Sequence, residues 1–461
     1  PSAYNHRGGW PVGNLEVYGP FDAHMLTWPG EPWSWEVVER DDGSVGVVLS
    51  HIEHFFRNKI SMELVLHPGS AYLAVTVKLH NKNSLPNRYL LWTNAGVPAT
   101  EGLRYLYPMT KTIGHDTADY GSWPVFEGVD LSWFRNNRAM LGVFGLDIYD
   151  DFIAGYDYEA DYGTVCYTNR QIARGIKTWT WGVSQTARRH ENRYTDSDGP
   201  YLEIQSGRFV WDGNYEFINP GKTDGWTEYW YGVGGLGGLT TATKDLAIHL
   251  EFKNTSEALL KITPTGNFPK AKLSWQVEGG AERYKRVSLT TGKTAEEILA
   301  LEPGSKEPLR LTIEHSEEIL LNYTYRSEPE GEFALDAIPR DFAEIEELTI
   351  EEIFQKGLTH EKLGQISEAT AAYREALKRD PSYTQPNMQL GLLALTRFQT
   401  EEAIGHFQTV LERDPSNGDA HYFLAVTYAE LGRLDDARRH FYRLLPSSGK
   451  FEQREFGLGV L

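Results

Sequence analysis

Tyr72-Leu73-Ala74-Val75-Thr76-Val77-Lys78-Leu79 is the stretch that decides the fold class. Its β-branched and aliphatic residues repeat every second position, the period of a strand with one buried face. Lys177-Thr178-Trp179-Thr180-Trp181 reads the same way, and such runs recur from Val12 to Thr243. Between them stand the turn signals Asp41-Asp42-Gly43, His67-Pro68-Gly69 and Asp198-Gly199-Pro200. No long 3.6-residue period intervenes, so residues 1–243 are expected to form a large antiparallel sandwich rather than a βαβ protein.

Beyond this region the strand text continues in Leu246–Phe252, Lys272–Val277 and Leu309–Ile313, but the aromatic residues thin out. Residues 244–328 suit a small immunoglobulin-like sandwich. Residues 329–349 have the polar, Pro- and Gly-punctuated, acidic composition of a linker. The period then becomes helical and the text repeats: Gly357, Ala369, Tyr373 and Pro381 return 34 positions later as Gly391, Ala403, Phe407 and Pro415, and again in part as Ala425, Ala437 and Phe441. That is the tetratricopeptide length. Residues 350–461 are therefore expected to be an all-α solenoid with units at 350–383, 384–417 and 418–451. Its concave groove is a place for a protein or peptide, with Gln355, Asn387 and Tyr422 as exposed contact positions.

Charge narrows the partners. The 461 residues carry 45 Lys and Arg against 64 Asp and Glu, a formal charge of −19, with no run of basic residues, so nucleic acid is not expected. No apolar stretch is long enough to span a bilayer, so no membrane partner is expected either. One cysteine, Cys166, allows no internal disulfide and, with the helical repeats, leans toward the cytoplasm. The chain begins at Pro1 rather than Met and reads as a fragment, with an array that continues past residue 461.

Aromatic residues make up 13% of the chain, and in the first half they alternate with carboxylates, His and Arg. Ring faces stack on the apolar faces of sugars while Asp, Glu, Asn and Arg fork onto hydroxyls, so an oligosaccharide or glycoside is the expected substrate. Glu203 leads the catalytic candidates: alternation in Tyr201-Leu202-Glu203-Ile204-Gln205 puts Leu202 and Ile204 on one face and Tyr201, Glu203 and Gln205 on the other. Glu228, flanked by Trp226 and Trp230, and Asp116, beside His115 in a loop, are its candidate partners. His115, Arg7, Trp123, Asp130, Gln205 and Trp230 are candidates for holding substrate. Neither a metal nor a cofactor is expected: His51 and His54 fall on opposite faces of a strand, and the glycine-rich 232–238 segment opens onto no phosphate-binding helix.

In order along the chain, Leu91-Trp92-Thr93-Asn94-Ala95-Gly96-Val97, Gly114-His115-Asp116, Ser122-Trp123-Pro124 with Asp130, Asp151–Tyr156, Lys177–Gly182, Thr195–Gly207 and Glu228–Tyr231 resemble a bacterial family catalogued as a domain of unknown function, DUF5107, whose members commonly carry C-terminal tetratricopeptide repeats. The resemblance covers residues 8–243 and implies a galactose-mutarotase-like super-sandwich among carbohydrate-processing proteins. The combined expectation is a glycoside hydrolase using carboxylate acid–base catalysis on terminal sugars. The alternatives are a sugar epimerase or mutarotase, in which one His and one Glu shuttle protons, and a binding scaffold that cleaves nothing.

Overall fold

The computed structural model describes residues 15–18, 32–53, 56–115, 120–194, 199–211, 215–301, 308–326, 332–333, 348–362, 365–444 and 458. The chain is multidomain: strands dominate to residue 325 and helices follow from 350. The first region is a sandwich of two antiparallel sheets. One has seven strands, ordered Leu15–Tyr18, Trp92–Pro98, Tyr201–Gly207, Gly175–Thr180, Leu141–Gly145, Lys111–Gly114 and Tyr120–Ser122. The other has eight, ordered Ser34–Glu39, Val45–Ile52, Lys59–Leu66, Leu73–His80, Thr223–Gly234, Tyr162–Tyr167, Phe152–Asp157 and Leu103–Leu106. Leu202, Ile204 and Ile176 of the first sheet pack with Ile153, Cys166 and Tyr105 of the second, which defines the inner face of each. Since neighbours in a strand point to opposite faces, Glu203 and Gln205 belong to the outer side of the seven-stranded sheet.

Two local elements differ from the sequence reading. A helix, Gln185–Tyr194, interrupts the strands; Ser184 starts it by accepting the Ala187 N–H on its side chain and the Arg188 N–H on its carbonyl. Ten residues are too few for their period to stand out in a strand-rich text. Within the stretch read as a linker, Glu332–Phe333 pairs with Asp147–Ile148 of the first sandwich.

Strands between Thr241 and Tyr325 form two further four-stranded sheets around a core that includes Trp275, Leu260, Ile262 and Leu311. The Trp275 indole, largely buried, donates to the carbonyl of Ala300 across the two layers.

Six helices from Ile350 to Tyr442 form three antiparallel pairs. The small residues of the repeat let the pairs cross closely. A Cβ on Gly357 would lie 2.6 Å from the Tyr373 ring, and one on Gly391 would lie 2.5 Å from Phe407. The second helices of the first two pairs stop at an aspartate, Asp380 or Asp414, that turns to accept the N–H of Ser382 or Ser416. The first repeats are also tied to each other, as Arg413 pairs with Asp380 at 2.7 Å.

The solenoid is docked on the first sandwich. Arg88 donates to the Lys362 carbonyl at 2.9 Å, Lys362 pairs with Glu216 at 2.6 Å, and Leu85 packs against the third-repeat core that contains Phe423. Two positions expected to be exposed are buried instead. Asn387 bonds to the Pro381 and Tyr383 carbonyls and to His406, and Tyr422 packs on Phe423 and Phe441. The repeat needs a filled inter-helix seam at these positions, so they are not free for a partner. No described helix is long and apolar enough to cross a membrane.

Candidate functional site on the outer face of the seven-stranded sheet

Strand register gathers the site. Gln205 stands opposite both Asn94 and Lys177, while Glu203 stands opposite Gly96 and Trp179. Lys177 is in turn opposite Phe144, and Trp179 opposite Gly142. Partners in an antiparallel ladder share a face, so Asn94, Gln205, Glu203, Lys177, Trp179 and Phe144 all lie on the outer side. His115, two residues beyond Ile113, which pairs with Phe144, continues the same row. Its backbone N–H is held by the Gly142 carbonyl at 3.0 Å.

The contacts confirm the grouping. Glu203 Oε2 accepts from Asn94 Nδ2 at 3.0 Å and from Gln205 Nε2 at 2.6 Å. The His115 imidazole lies parallel to the Phe144 ring, centroids 5.9 Å apart, and meets the Trp179 indole edge-on at 5.0 Å. Lys177 Nζ sits 5.0 Å from the centre of Phe144 and 5.4 Å from that of Trp179, a cation over two ring faces. Trp181 packs edge-on against Trp179 and donates to the Tyr201 hydroxyl. Glycine makes the crowding possible: a Cβ at Gly142 would lie 2.5 Å from the Trp179 ring and 3.1 Å from His115 Cβ.

Electrostatics set Glu203 apart. Loss of hydration pushes its carboxyl above the usual range, while the Lys177 charge and then the Asn94 and Gln205 amides pull against that rise. Asn94, Gln205 and Lys177 are nearly fully buried, whereas Glu203, His115 and Trp179 remain partly exposed. The fixed groups thus form a floor, and those able to meet a ligand stand above it.

The other sequence candidates fall elsewhere. Glu228, in the eight-stranded sheet, is fully buried between the sheets. It accepts from Thr93 Oγ1 at 2.7 Å, Trp226 Nε1 at 2.7 Å and Trp230 Nε1 at 2.9 Å. Thr93 and Asn94 are consecutive, so the donors to Glu228 and Glu203 point through opposite faces of one strand. Trp230 is therefore a support for Glu228 and not part of the outer face. Asp130 accepts from Ser132 and pairs with Arg104 at 3.5 Å. Trp123 is buried against Tyr105 and Tyr107. Neither contacts the Glu203 cluster. Arg7 and Asp116 lie outside the described residues.

Lys177 and Asn94 were missed as site residues. Their signal was present: Lys177 precedes Trp179 by two in a strand, and Asn94 is a lone amide in Thr93-Asn94-Ala95-Gly96. What the text lacked was the pairing that sets both beside Glu203. At the sheet edge, Glu16 stands opposite Asn94 in register.

Among solved structures, a TPR-domain containing protein from Parabacteroides distasonis ATCC 8503 is 18% identical, with 95% of this chain and 63% of that chain covered and a TM-score of 0.45. The present chain thus spans less than two thirds of that protein. An aldose 1-epimerase-like protein from Escherichia coli K12 is 13% identical, with 46% and 73% covered and a TM-score of 0.36. A mutarotase-like protein from Salmonella typhimurium is 8% identical, with 50% and 79% covered and a TM-score of 0.35. Tetratricopeptide repeat models match residues 353–383 and 388–450. The model of the domain of unknown function DUF5107 matches residues 2–233, half of the chain, and the protein belongs to that family, its sandwich followed by a tetratricopeptide array.

Proposed function

We propose that the outer face around Glu203 and Trp179 binds a sugar and moves protons at its anomeric centre, the chemistry of an aldose epimerase or mutarotase. One observation carries this reading: a partly exposed carboxylate with a raised pKa and an imidazole on the same sheet face, with an indole between them. Opening an aldose ring requires one group to take the proton of the anomeric hydroxyl and another to give a proton to the ring oxygen as the C1–O5 bond breaks. Closure on the other face of the new carbonyl reverses both transfers. Glu203 is the base and His115 the acid; Trp179 stacks on the sugar, and Asn94 and Gln205 hold the carboxylate by one oxygen, leaving Oε1 for substrate. A carboxyl raised above its ordinary range by burial is a stronger base than an ordinary one, and the Lys177 charge pulls against that rise in favour of the ionised form.

Glycoside hydrolysis is the second reading. It needs a second carboxylate roughly 5–9.5 Å from the first, and Glu228 is on the wrong side of the strand to supply it. The observation in its favour is the partly exposed Glu203 carboxylate, raised above its ordinary range and opposite Trp179 in register. The tetratricopeptide array adds an architecture that binds proteins, so the sugar site and a protein partner belong to one molecule in either reading.

Anomer interconversion of galactose and glucose, followed by NMR exchange, tests the proposal. The full chain is expected to accelerate it, and Glu203→Gln to lose about 100-fold or more. Release of aryl alcohol from aryl glycosides without interconversion, abolished by Glu203→Gln, would replace the first reading with the second. Sugar binding with neither reaction would leave a non-catalytic scaffold.

A further inference from the structure

A second cleft, of about 710 Å³, opens between the first sandwich and the immunoglobulin-like module, away from the Glu203 face. Its first wall is the turn Tyr149-Asp150-Asp151 with Tyr167; its second is the strand Glu318–Tyr325, which contributes Asn322 and Tyr323. The walls are fastened together. Thr241 donates to Asp150 Oδ2 at 2.6 Å, Thr243 donates to the Leu320 carbonyl at 2.9 Å, and Thr294 donates to the Gly234 carbonyl at 2.8 Å. The opening is therefore preformed, and its volume is that of an ordinary small-ligand site.

Its chemistry selects among ligands. Asp150 is held by two neutral donors, the Thr241 hydroxyl and the Asp151 N–H, with no ion pair of its own among the described residues. Burial lifts its carboxyl to about 6, so near neutrality it is mainly an ionised acceptor for hydroxyl donors. Three tyrosines line the same space, and burial raises the phenol of Tyr167 to about 12, which keeps it a donor. The carboxylates Asp150, Asp151 and Asp245 outnumber the cations Lys244 and Arg326, and Lys244 is taken up by Asp245 at 3.0 Å. Phosphates and other anions are disfavoured there. Rings, hydroxyls, an amide and an accepting carboxylate suit a neutral polyhydroxylated ligand.

We propose that the cleft between the two sandwiches, walled by Tyr149, Asp150, Tyr167, Asn322 and Tyr323, is a separate binding site for a neutral oligosaccharide. It does not depend on the reaction at Glu203, and the two ideas fail separately. Calorimetry on the full chain with methyl-capped maltotriose, cellotriose, xylotriose and galactotriose, which lack a free anomeric hydroxyl, provides the test. At least one is expected to bind. Tyr149→Ala and Asn322→Ala, both at exposed positions, are each expected to weaken that binding about tenfold while anomer interconversion stays within about twofold of the parent chain. Glu203→Gln is expected to reverse the pattern, losing interconversion and keeping cleft binding. Absence of binding by all four probes, or binding unchanged in the two cleft variants with their fold verified by circular dichroism, would overturn the proposal.

Discussion

The two faces of the seven-stranded sheet put the same residue type to opposite uses. Glu228, against the inner face, is sealed and takes three hydrogen bonds, from a threonine and two indoles. Glu203, on the outer face, takes two, both on one oxygen, and remains partly exposed. Interior donors reach both oxygens of Glu228, which is the pattern of a structural acid. The outer carboxylate is positioned but incompletely satisfied, the pattern of a group that waits for a ligand. Arg170 deepens the contrast. It is buried on the inner side, donates to Ser206 Oγ at 2.9 Å and to two carbonyls, and interacts electrostatically with Glu228. The inner acid thus belongs to a charge network that spans the core.

That difference predicts the largest effect. Glu228→Ala strands two indole N–H groups and the Arg170 charge in the core, while the Thr93 hydroxyl keeps the Ser206 carbonyl at 3.1 Å, and is expected to cost about 3–5 kcal/mol. Glu203→Ala removes a partly exposed carboxylate from two nearly buried amides on a face that water can reach, and is expected to cost less, about 1–2 kcal/mol. Urea denaturation of both variants checks the pair. Equal losses would erase the distinction between the two faces.

A smaller effect sharpens the outer face itself. Gly142→Ala forces a methyl against the Trp179 ring and His115. Overpacking of this kind costs about 1–3 kcal/mol, and here the yielding groups are those proposed to hold sugar. Anomer interconversion is expected to fall more than stability alone explains, measured at a temperature where the variant is fully folded. Unchanged activity would mean that Trp179 and His115 need not keep their mutual geometry.

How much of this was legible beforehand follows from what each element depends on. The solenoid was readable because Gly357 with Tyr373 and Gly391 with Phe407 are contacts within one repeat, only 16 residues apart, and the text repeats them. Alternation also placed Leu202 and Ile204 opposite Glu203 and Gln205, a matter of parity within one strand. Which face was inner, and what stood beside each residue, depended on pairings between strands far apart in sequence. Lys177 and Asn94 reach Glu203 only through the ladder among Trp92–Pro98, Tyr201–Gly207 and Gly175–Thr180. For the same reason Glu228 looked like a partner for Glu203: aromatic neighbours in sequence signal burial, but not which layer does the burying. The docking of the solenoid through Arg88, Lys362 and Glu216 had no sequence signal, since single charged residues on three separate elements form no pattern.

The smallest expected effect is read from a sign. The folded-state pKa of Glu203 lies above its ordinary value of 4.5, with burial as the leading cause. The native state therefore holds this proton more tightly than the unfolded chain, and the stability associated with the group is fully present below pH 4.5 and is lost as pH rises through the folded pKa. Glu203→Gln removes the titration but keeps an oxygen to accept from Asn94 and Gln205. The melting temperature of the parent chain, relative to that of Glu203→Gln, is expected to fall as pH rises from 4 toward neutrality in parallel thermal scans. A difference that stays flat, or that moves in favour of the parent chain, would mean that the Lys177 charge outweighs burial. Glu203 would then be an ordinary ion-pair partner like the salt-bridged acids of the surface, and its case as the base would weaken.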